Sequence, residues 1–368
     1  MNTPEKKIYA GEPCLTTKTH SNAEVGNKED ASYLNSLRSS LLDWFRLKQR
    51  RLPWRDTRDP YAIWVSEVML QQTRVAAVSE RYVAFLERFP TVFNLAAATE
   101  AEVLTLWSGL GYYRRARQLH CAARQIVEHK AGEIPTTAGE LLLLPGIGKY
   151  TAAAVASIAY SEPIAAIDGN VERVLQRLRG WGSEGASDQP AIARHISAEA
   201  QRLLDPAAPG DWNQAMMELG ATVCLPRAPR CADCPIVSFC ATRGEHVTPK
   251  RAPMRSESVA YALVVRNRGK TKQVLLVQRP AEETVMPGMW ELPRDTGDHS
   301  PAAPMLELRH AIMQVNYKVE IYSATANGVS VDGKKHRWVD ARSAAKLPLT
   351  GLARKTLLQS GMLNDDRP

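Results

Sequence analysis

The chain has 368 residues, 44% of them hydrophobic and 23% charged, with a net charge of +8. That length predicts two domains. No run of about 18 apolar residues occurs, which excludes a transmembrane helix, and the polar first residues lack the apolar core of a signal peptide. A basic excess suits a polyanionic partner or plain solubility equally well. Arginines gathered near candidate loops favour the polyanion: Arg50, Arg51 and Arg55; Arg114, Arg115 and Arg117; Arg227 and Arg230.

Residues 1–30, with Lys6, Lys7, Lys18 and Lys28, predict a disordered polar tail. Residues 31–244 predict one helical domain. From Tyr61 to Phe89, apolar residues recur at helical spacing up to Pro90. Thr99 with Glu102 predicts a capping box, and Gly109 and Gly111 end the helix it starts. A basic helix follows from Tyr113 to Lys130, stopped by Gly132. Thr137 with Glu140 predicts a second capping box ahead of Leu141–Leu144. A small-residue helix runs over Lys149–Tyr160, and another over Asn170–Arg179. Residues 245–257 turn to Pro, Lys, Arg and Ser and predict a basic linker. Beyond it the period changes. Val259–Val265, Val274–Gln278, Tyr317–Tyr322 and Arg337–Val339 predict strands of a smaller α/β domain over 258–368.

Four groups carry chemistry. The stretch Leu144-Pro-Gly-Ile-Gly-Lys-Tyr-Thr-Ala152 is a helix–hairpin–helix signature. Gly146 and Gly148 permit a tight turn whose backbone N–H groups can hold one phosphate. An ordinary helix connection is the plain alternative. Asp168, in Ile167-Asp-Gly-Asn170, is either a helix N-cap or a carboxylate facing a cationic transition state, and both can hold. Glu67 sits among Val, Met and Leu. It is a surface glutamate, or a buried one with a raised pKa able to act as a general acid. Cys224, Cys231, Cys234 and Cys240 are spaced C-x6-C-x2-C-x5-C. One C-x-x-C flanked by two single cysteines suits a [4Fe–4S] cluster, whereas structural zinc sites usually bring two such pairs; a four-cysteine zinc site stays open. The remaining Cys14 and Cys121 offer no disulfide framework, which fits a reducing, cytosolic setting.

In this order the motifs resemble the endonuclease III superfamily of DNA glycosylases, and within it the MutY-type adenine DNA glycosylases. The resemblance is dense over 33–243 and loose over 258–368. It rests on Leu52-Pro-Trp-Arg55, Ser66-Glu-Val-Met-Leu-Gln-Gln-Thr73, Gly109-Leu-Gly-Tyr-Tyr113, Leu144–Ala152, Asp168-Gly-Asn170 and the four cysteines. It implies a multidomain protein: an all-α helix–hairpin–helix domain closed by a [4Fe–4S] loop, then a Nudix-like C-terminal domain. The implied partner is double-stranded DNA containing adenine opposite 8-oxoguanine or G. A monomer is implied too, in the cytoplasm of a bacterial-type cell and bound to the nucleoid through DNA.

The resemblance also implies roles. Arg50 and Glu67 would face the flipped adenine, and Glu67 would protonate N7. Asp168 would stabilise the oxocarbenium ion, directly or through a transient covalent bond. Asn170 and Tyr150 would position these groups. Gln72, Leu110 and Tyr112 would meet the DNA at the gap, Gly146 and Gly148 a phosphate, and Arg227 and Arg230 the backbone. Bifunctional members carry a lysine nucleophile where Tyr150 stands. A tyrosine cannot form the Schiff base, and Lys149 should point about 100° away. That implies a monofunctional glycosylase; an endonuclease III-like lyase on oxidised pyrimidines is the alternative. Pro287-Gly-Met-Trp-Glu-Leu-Pro293 matches the Nudix-like module, but no R-E-x-x-E-E helix follows, so nucleotide hydrolysis is not expected. Ile312-Met313-Gln314 stand where the family has Phe-Ser-His. The segment Leu292–His310 is short for the module's usual helix. Weak lesion discrimination, or a simple DNA clamp, is expected.

Overall fold

A computed structural model describes residues 21–181, 189–245, 253–295, 303–312, 315–326, 329, 331 and 335–363. The described residues begin with α1 (Ser21–Lys48), which starts inside the segment read as a tail. Residues 1–20 of that segment, and 246–252 of the expected linker, lie outside the described residues.

The helical part has two lobes, each with its own apolar core. The first holds α2 (Pro60–Leu70), α3 (Val75–Arg88), α4 (Val92–Ala97), α5 (Glu100–Leu106), α6 (Arg114–Lys130), α7 (Ala138–Leu141) and α8 (Lys149–Tyr160). The second gathers α1 with α9 (Gly169–Arg179), α10 (Gln189–Leu203) and α11 (Pro209–Thr222). Neither α10 nor α11 is marked by a motif in the sequence.

Local chemistry accounts for several boundaries. Asp59 caps α2 by accepting from the N–H groups of Tyr61 and Ala62, with Pro60 in the first turn. The expected box at Thr99 is present: Thr99 N–H donates to Glu102 Oε2 at 2.9 Å, and Glu102 N–H to Thr99 Oγ1 at 3.3 Å. Thr137 caps α7, but that helix stops at Leu141, and Leu142 and Leu143 are exposed. The periodic segment from Tyr61 to Phe89 is not one helix. It breaks at Gln71–Arg74, where Gln72 takes φ 54°. The apolar period continues through the break, so periodicity alone could not show it.

Among the described residues, the C-terminal part forms a six-stranded sheet. Its strands are β1 (Arg255–Arg268), β2 (Thr271–Gln278), β3 (Trp290–Glu291), β4 (Leu306–Ile312), β5 (Val315–Ala324) and β6 (His336–Val339). The order is β3-β2-β1-β5-β4, with β6 also on β2, and β1 pairs with β5 in parallel. Two helices follow, α12 (Ala341–Ala345) and α13 (Gly351–Gln359). Ile312 ends β4 and pairs with Val315 of β5. Met313 and Gln314 between them lie outside the described residues.

The Pro287–Pro293 stretch docks this sheet on the first helical lobe. Met289 is fully buried in the helical core. Arg117 Nη2 donates to the Pro287 carbonyl at 2.5 Å, and Tyr113 Oη to that of Leu349 at 3.4 Å.

Candidate active site and cysteine loop

The two lobes meet along a cleft enclosing about 750 Å³. A cleft between two independently packed bodies is where a ligand can be surrounded without a hole in either core. Of the residues singled out from sequence, Arg50, Glu67, Gln72, Gly146, Gly148, Tyr150, Asp168 and Asn170 all line it. The first lobe supplies Glu67 and Tyr150, and the second Asp168 and Asn170.

Glu67 is 5% exposed on α2, a helix buried nearly all round. Tyr150, in the first turn of α8, donates its hydroxyl to Glu67 Oε2 at 2.6 Å. Met217 Sδ lies 3.0 Å from the same hydroxyl. Burial, with the nearby Asp168, pushes the Glu67 carboxyl up, the Tyr150 hydrogen bond and Arg55 pull it down, and the balance leaves it at about 7. Burial also drives the Tyr150 phenol well above its ordinary range. Glu67 is therefore a buried group poised to hold a proton near neutrality, not a surface glutamate.

Asp168 caps α9. Its Oδ1 accepts from the N–H groups of Asn170 at 2.9 Å and Val171 at 2.8 Å, and its Oδ2 from Asn170 Nδ2 at 2.8 Å. The cap also faces the cleft, so the two readings of this residue coincide. Gly220 of α11 is required here: a Cβ on it would come within 2.6 Å of Asn170 Cβ.

The two hairpin glycines shape the turn into α8. Gly146 takes φ 76° in the turn, and Gly148 caps α8 without a side chain. Lys149, exposed in the same turn of α8, also borders the cleft.

Arg50 reaches the cleft, but its guanidinium is held by a carboxylate that sequence reading missed. Nε and Nη2 donate to Glu218 Oε1 and Oε2 at 2.8 and 2.7 Å, and Arg55 Nη2 donates to Oε2 at 2.7 Å. Glu218 is 1% exposed, yet its carboxyl is held at about 2: the arginine hydrogen bonds outweigh burial. The signal existed. Glu218 sits among Met216, Met217 and Leu219, just as Glu67 sits among Val and Met.

Two expected DNA contacts lie apart. Tyr112 is 50% exposed at φ 47°, whereas Leu110 is 5% exposed and packs in the helical core. Leu110 instead contributes its carbonyl, which accepts from Thr73 Oγ1 and Arg115.

Cys224, Cys231, Cys234 and Cys240 line one small cavity of about 30 Å³. Burial, with the neighbouring thiols, pushes Cys234 up to about 11 as a free thiol. A bound metal reverses that penalty by taking the thiolate. Among the described residues, no three His, Cys, Asp or Glu are disposed around one metal ion. A cluster binding one thiolate per iron does not need four sulfurs to meet at a point, so the donor set fits it. Arg227 and Arg230 are exposed on this loop, and Arg230 pairs with Asp233 at 3.0 Å. Buried Arg177 braces the loop from below through the carbonyls of Leu225 and Pro226. Arg173 donates to the Cys224 carbonyl at 2.9 Å and to Asn170 Oδ1 at 3.0 Å, linking the loop to the Asp168 cap. No helix among the described residues is long and apolar enough to cross a membrane.

A hairpin before α8 and two carboxylates across an interlobe cleft describe a base-excising DNA repair fold. Residues 65–199 match the HhH-GPD superfamily of base excision DNA repair proteins. The chain is 39% identical over 327 residues to the human adenine DNA glycosylase, covering 74% of this chain and 59% of that protein. It is 38% identical over 239 residues to the Mycobacterium tuberculosis adenine DNA glycosylase, covering 64% of this chain and 77% of that protein. Among solved structures, a thermostable thymine-DNA glycosylase superposes with a TM-score of 0.53 at 29% identity, over 60% of this chain and 98% of the other. The chain belongs to the adenine DNA glycosylase family. It spans about three fifths of the length of its human relative.

Proposed function

We propose that the chain removes adenine from DNA where adenine lies opposite 8-oxoguanine or G, as a monofunctional glycosylase. One observation carries this reading: protonatable Glu67, bonded to Tyr150, shares a cleft with the Asp168 carboxylate. Buried Glu67 suits the role of acid, and Asp168, whose oxygens accept three N–H bonds at the start of α9, is held facing the same cleft.

The flipped adenine enters the cleft with N7 toward Glu67. Glu67 gives N7 its proton, the C1′–N9 bond breaks with both electrons leaving on the base, and neutral adenine departs. The sugar becomes a cation that Asp168 stabilises across the cleft, while Asn170 fixes the carboxylate's rotamer. Water adds its oxygen to C1′ and loses a proton to the carboxylate or solvent. Glu218 holds Arg50 and Arg55 rigidly at the cleft wall. Gly146 and Gly148 take a phosphate of the duplex, Gln72 and Tyr112 occupy the gap left by the base, and Arg227 and Arg230 face the backbone.

A [4Fe–4S] cluster would be held by Cys224, Cys231, Cys234 and Cys240, where it crosslinks the loop rather than taking part in hydrolysis. The C-terminal sheet acts as a degenerate Nudix-like module and contributes modest 8-oxoguanine preference.

Single-turnover base release tests the assignment. Free adenine should appear from A:8-oxoguanine and A:G duplexes, and E67Q should release none at comparable rate. Equal rates for E67Q and wild type would refute it. Lys149 borders the cleft, so borohydride trapping is the second arm: a covalent adduct at Lys149 would establish the lyase reading instead.

A further inference from the structure

Arg115, in the first turn of α6, makes more connections than any role above requires. Its Nη1 donates to the carbonyls of Val68 at 2.7 Å and Met69 at 3.0 Å. These belong to the last turn of α2, the Glu67 helix, whose carbonyls have no partner within the helix. Its Nη2 donates to Thr73 Oγ1 at 2.9 Å and to the carbonyls of Leu110 and Gly111, both at 3.3 Å. The guanidinium lies 5.5 Å from the Trp107 ring centre and 5.4 Å from that of Tyr112. One side chain thus meets the α2 terminus, the turn after Gln72 and the loop that carries Tyr112.

Both of those residues hold left-handed backbone, φ 54° at Gln72 and φ 47° at Tyr112. Such conformations in non-glycine residues persist only where surroundings over-determine them. Arg115 provides that determination for both segments at once. Half of Tyr112 remains exposed, with surface available for stacking on a base.

We propose that Arg115 is a positioning residue that joins the Gln72 turn and the Tyr112 loop to the C-terminal end of the Glu67 helix. The two elements that fill the gap are then registered to the acid that receives the flipped base. The function is coupling, and only a planar fork supplies it. A lysine in its place would keep a cation at the α2 terminus but could not span five acceptors on three segments.

The inference rests on the glycosylase reading, and the test separates the two. Base release by wild type and R115K is compared on two duplexes, one with adenine paired opposite 8-oxoguanine and one with adenine opposite an abasic-site analogue. Flipping from a pair needs the gap filled; an unpaired adenine needs it far less. R115K should lose about thirtyfold on the paired substrate, in line with the cost of an ångström-scale misplacement. On the unpaired substrate it should lose less than about threefold, since the α2 cap survives. An equal loss on both substrates, or no loss, overturns the proposal. If R115K does not fold, Thr73→Val severs one arm and is judged by the same ratio. If wild type releases no adenine at all, the glycosylase reading has failed. The coupling is then read from 2-aminopurine fluorescence at the target position: unstacking on binding that R115K loses supports it, and unstacking that R115K retains overturns it.

Discussion

The Tyr150 hydroxyl sits 2.6 Å from Glu67 Oε2, and the two residues come from helices 83 positions apart. This bond lowers the Glu67 pKa against the burial that raises it, leaving the carboxyl near 7. Tyr150 is thus placed to tune the acid as well as to hold it.

The pH dependence follows directly. The acid form of Glu67 is present below about 7 and is lost as pH rises through that value. Single-turnover base release should fall on the alkaline side with an apparent pKa near 7. Y150F removes the bond that favours the ionised form, so its alkaline limb should move to higher pH while its maximal rate drops about tenfold. A limb that stays in place, or moves down, would contradict the assignment.

Glu67 also costs stability. Its folded pKa lies above its unfolded value, so it favours folding only while protonated, and that contribution is lost as pH rises from about 4.5 through about 7. At pH 8 E67Q should be more stable than wild type by about 1–3 kcal/mol in urea unfolding, and at pH 5 the difference should shrink.

Glu218 should behave in the opposite sense. Replacing it with Gln leaves nearly buried Arg55 and half-buried Arg50 without their shared carboxylate. E218Q should cost about 2–4 kcal/mol in urea unfolding. The pair's stabilising contribution is present at neutral pH and is lost as pH falls toward about 2.

The cysteine loop predicts about four irons per chain in anaerobically purified protein, with visible charge-transfer absorption. C231S should lose both. An iron content near zero with one zinc per chain would establish the zinc alternative. Far-ultraviolet circular dichroism should show the helices of the first lobe retained, because the loop packs only against the core of the second lobe, through Ile236, Cys224, Cys234 and Cys240.

Much of this was legible along the chain. Residues that act through local backbone geometry declare themselves by spacing: the Gly146–Gly148 turn, the Thr99 capping box and the Asp168 cap each work within a few residues of sequence. The small-residue helix at Lys149–Tyr160 appears where expected. Glu67 was readable as a carboxylate in apolar company.

What the tertiary structure alone decided are relationships between distant segments. Glu218 grips Arg50 across 168 positions, Arg115 spans three segments, and Pro287–Met289 docks the sheet on the helices. The break at Gln72 is hidden because its apolar period is uninterrupted, and the burial of the Leu110 side chain depends on packing that its motif does not encode. The sequence by itself determined the local turns, caps and candidate chemistry of this protein. Folding determined which charges meet and which backbone strains are held, because burial and hydrogen bonding depend on three-dimensional neighbours that no local spacing encodes.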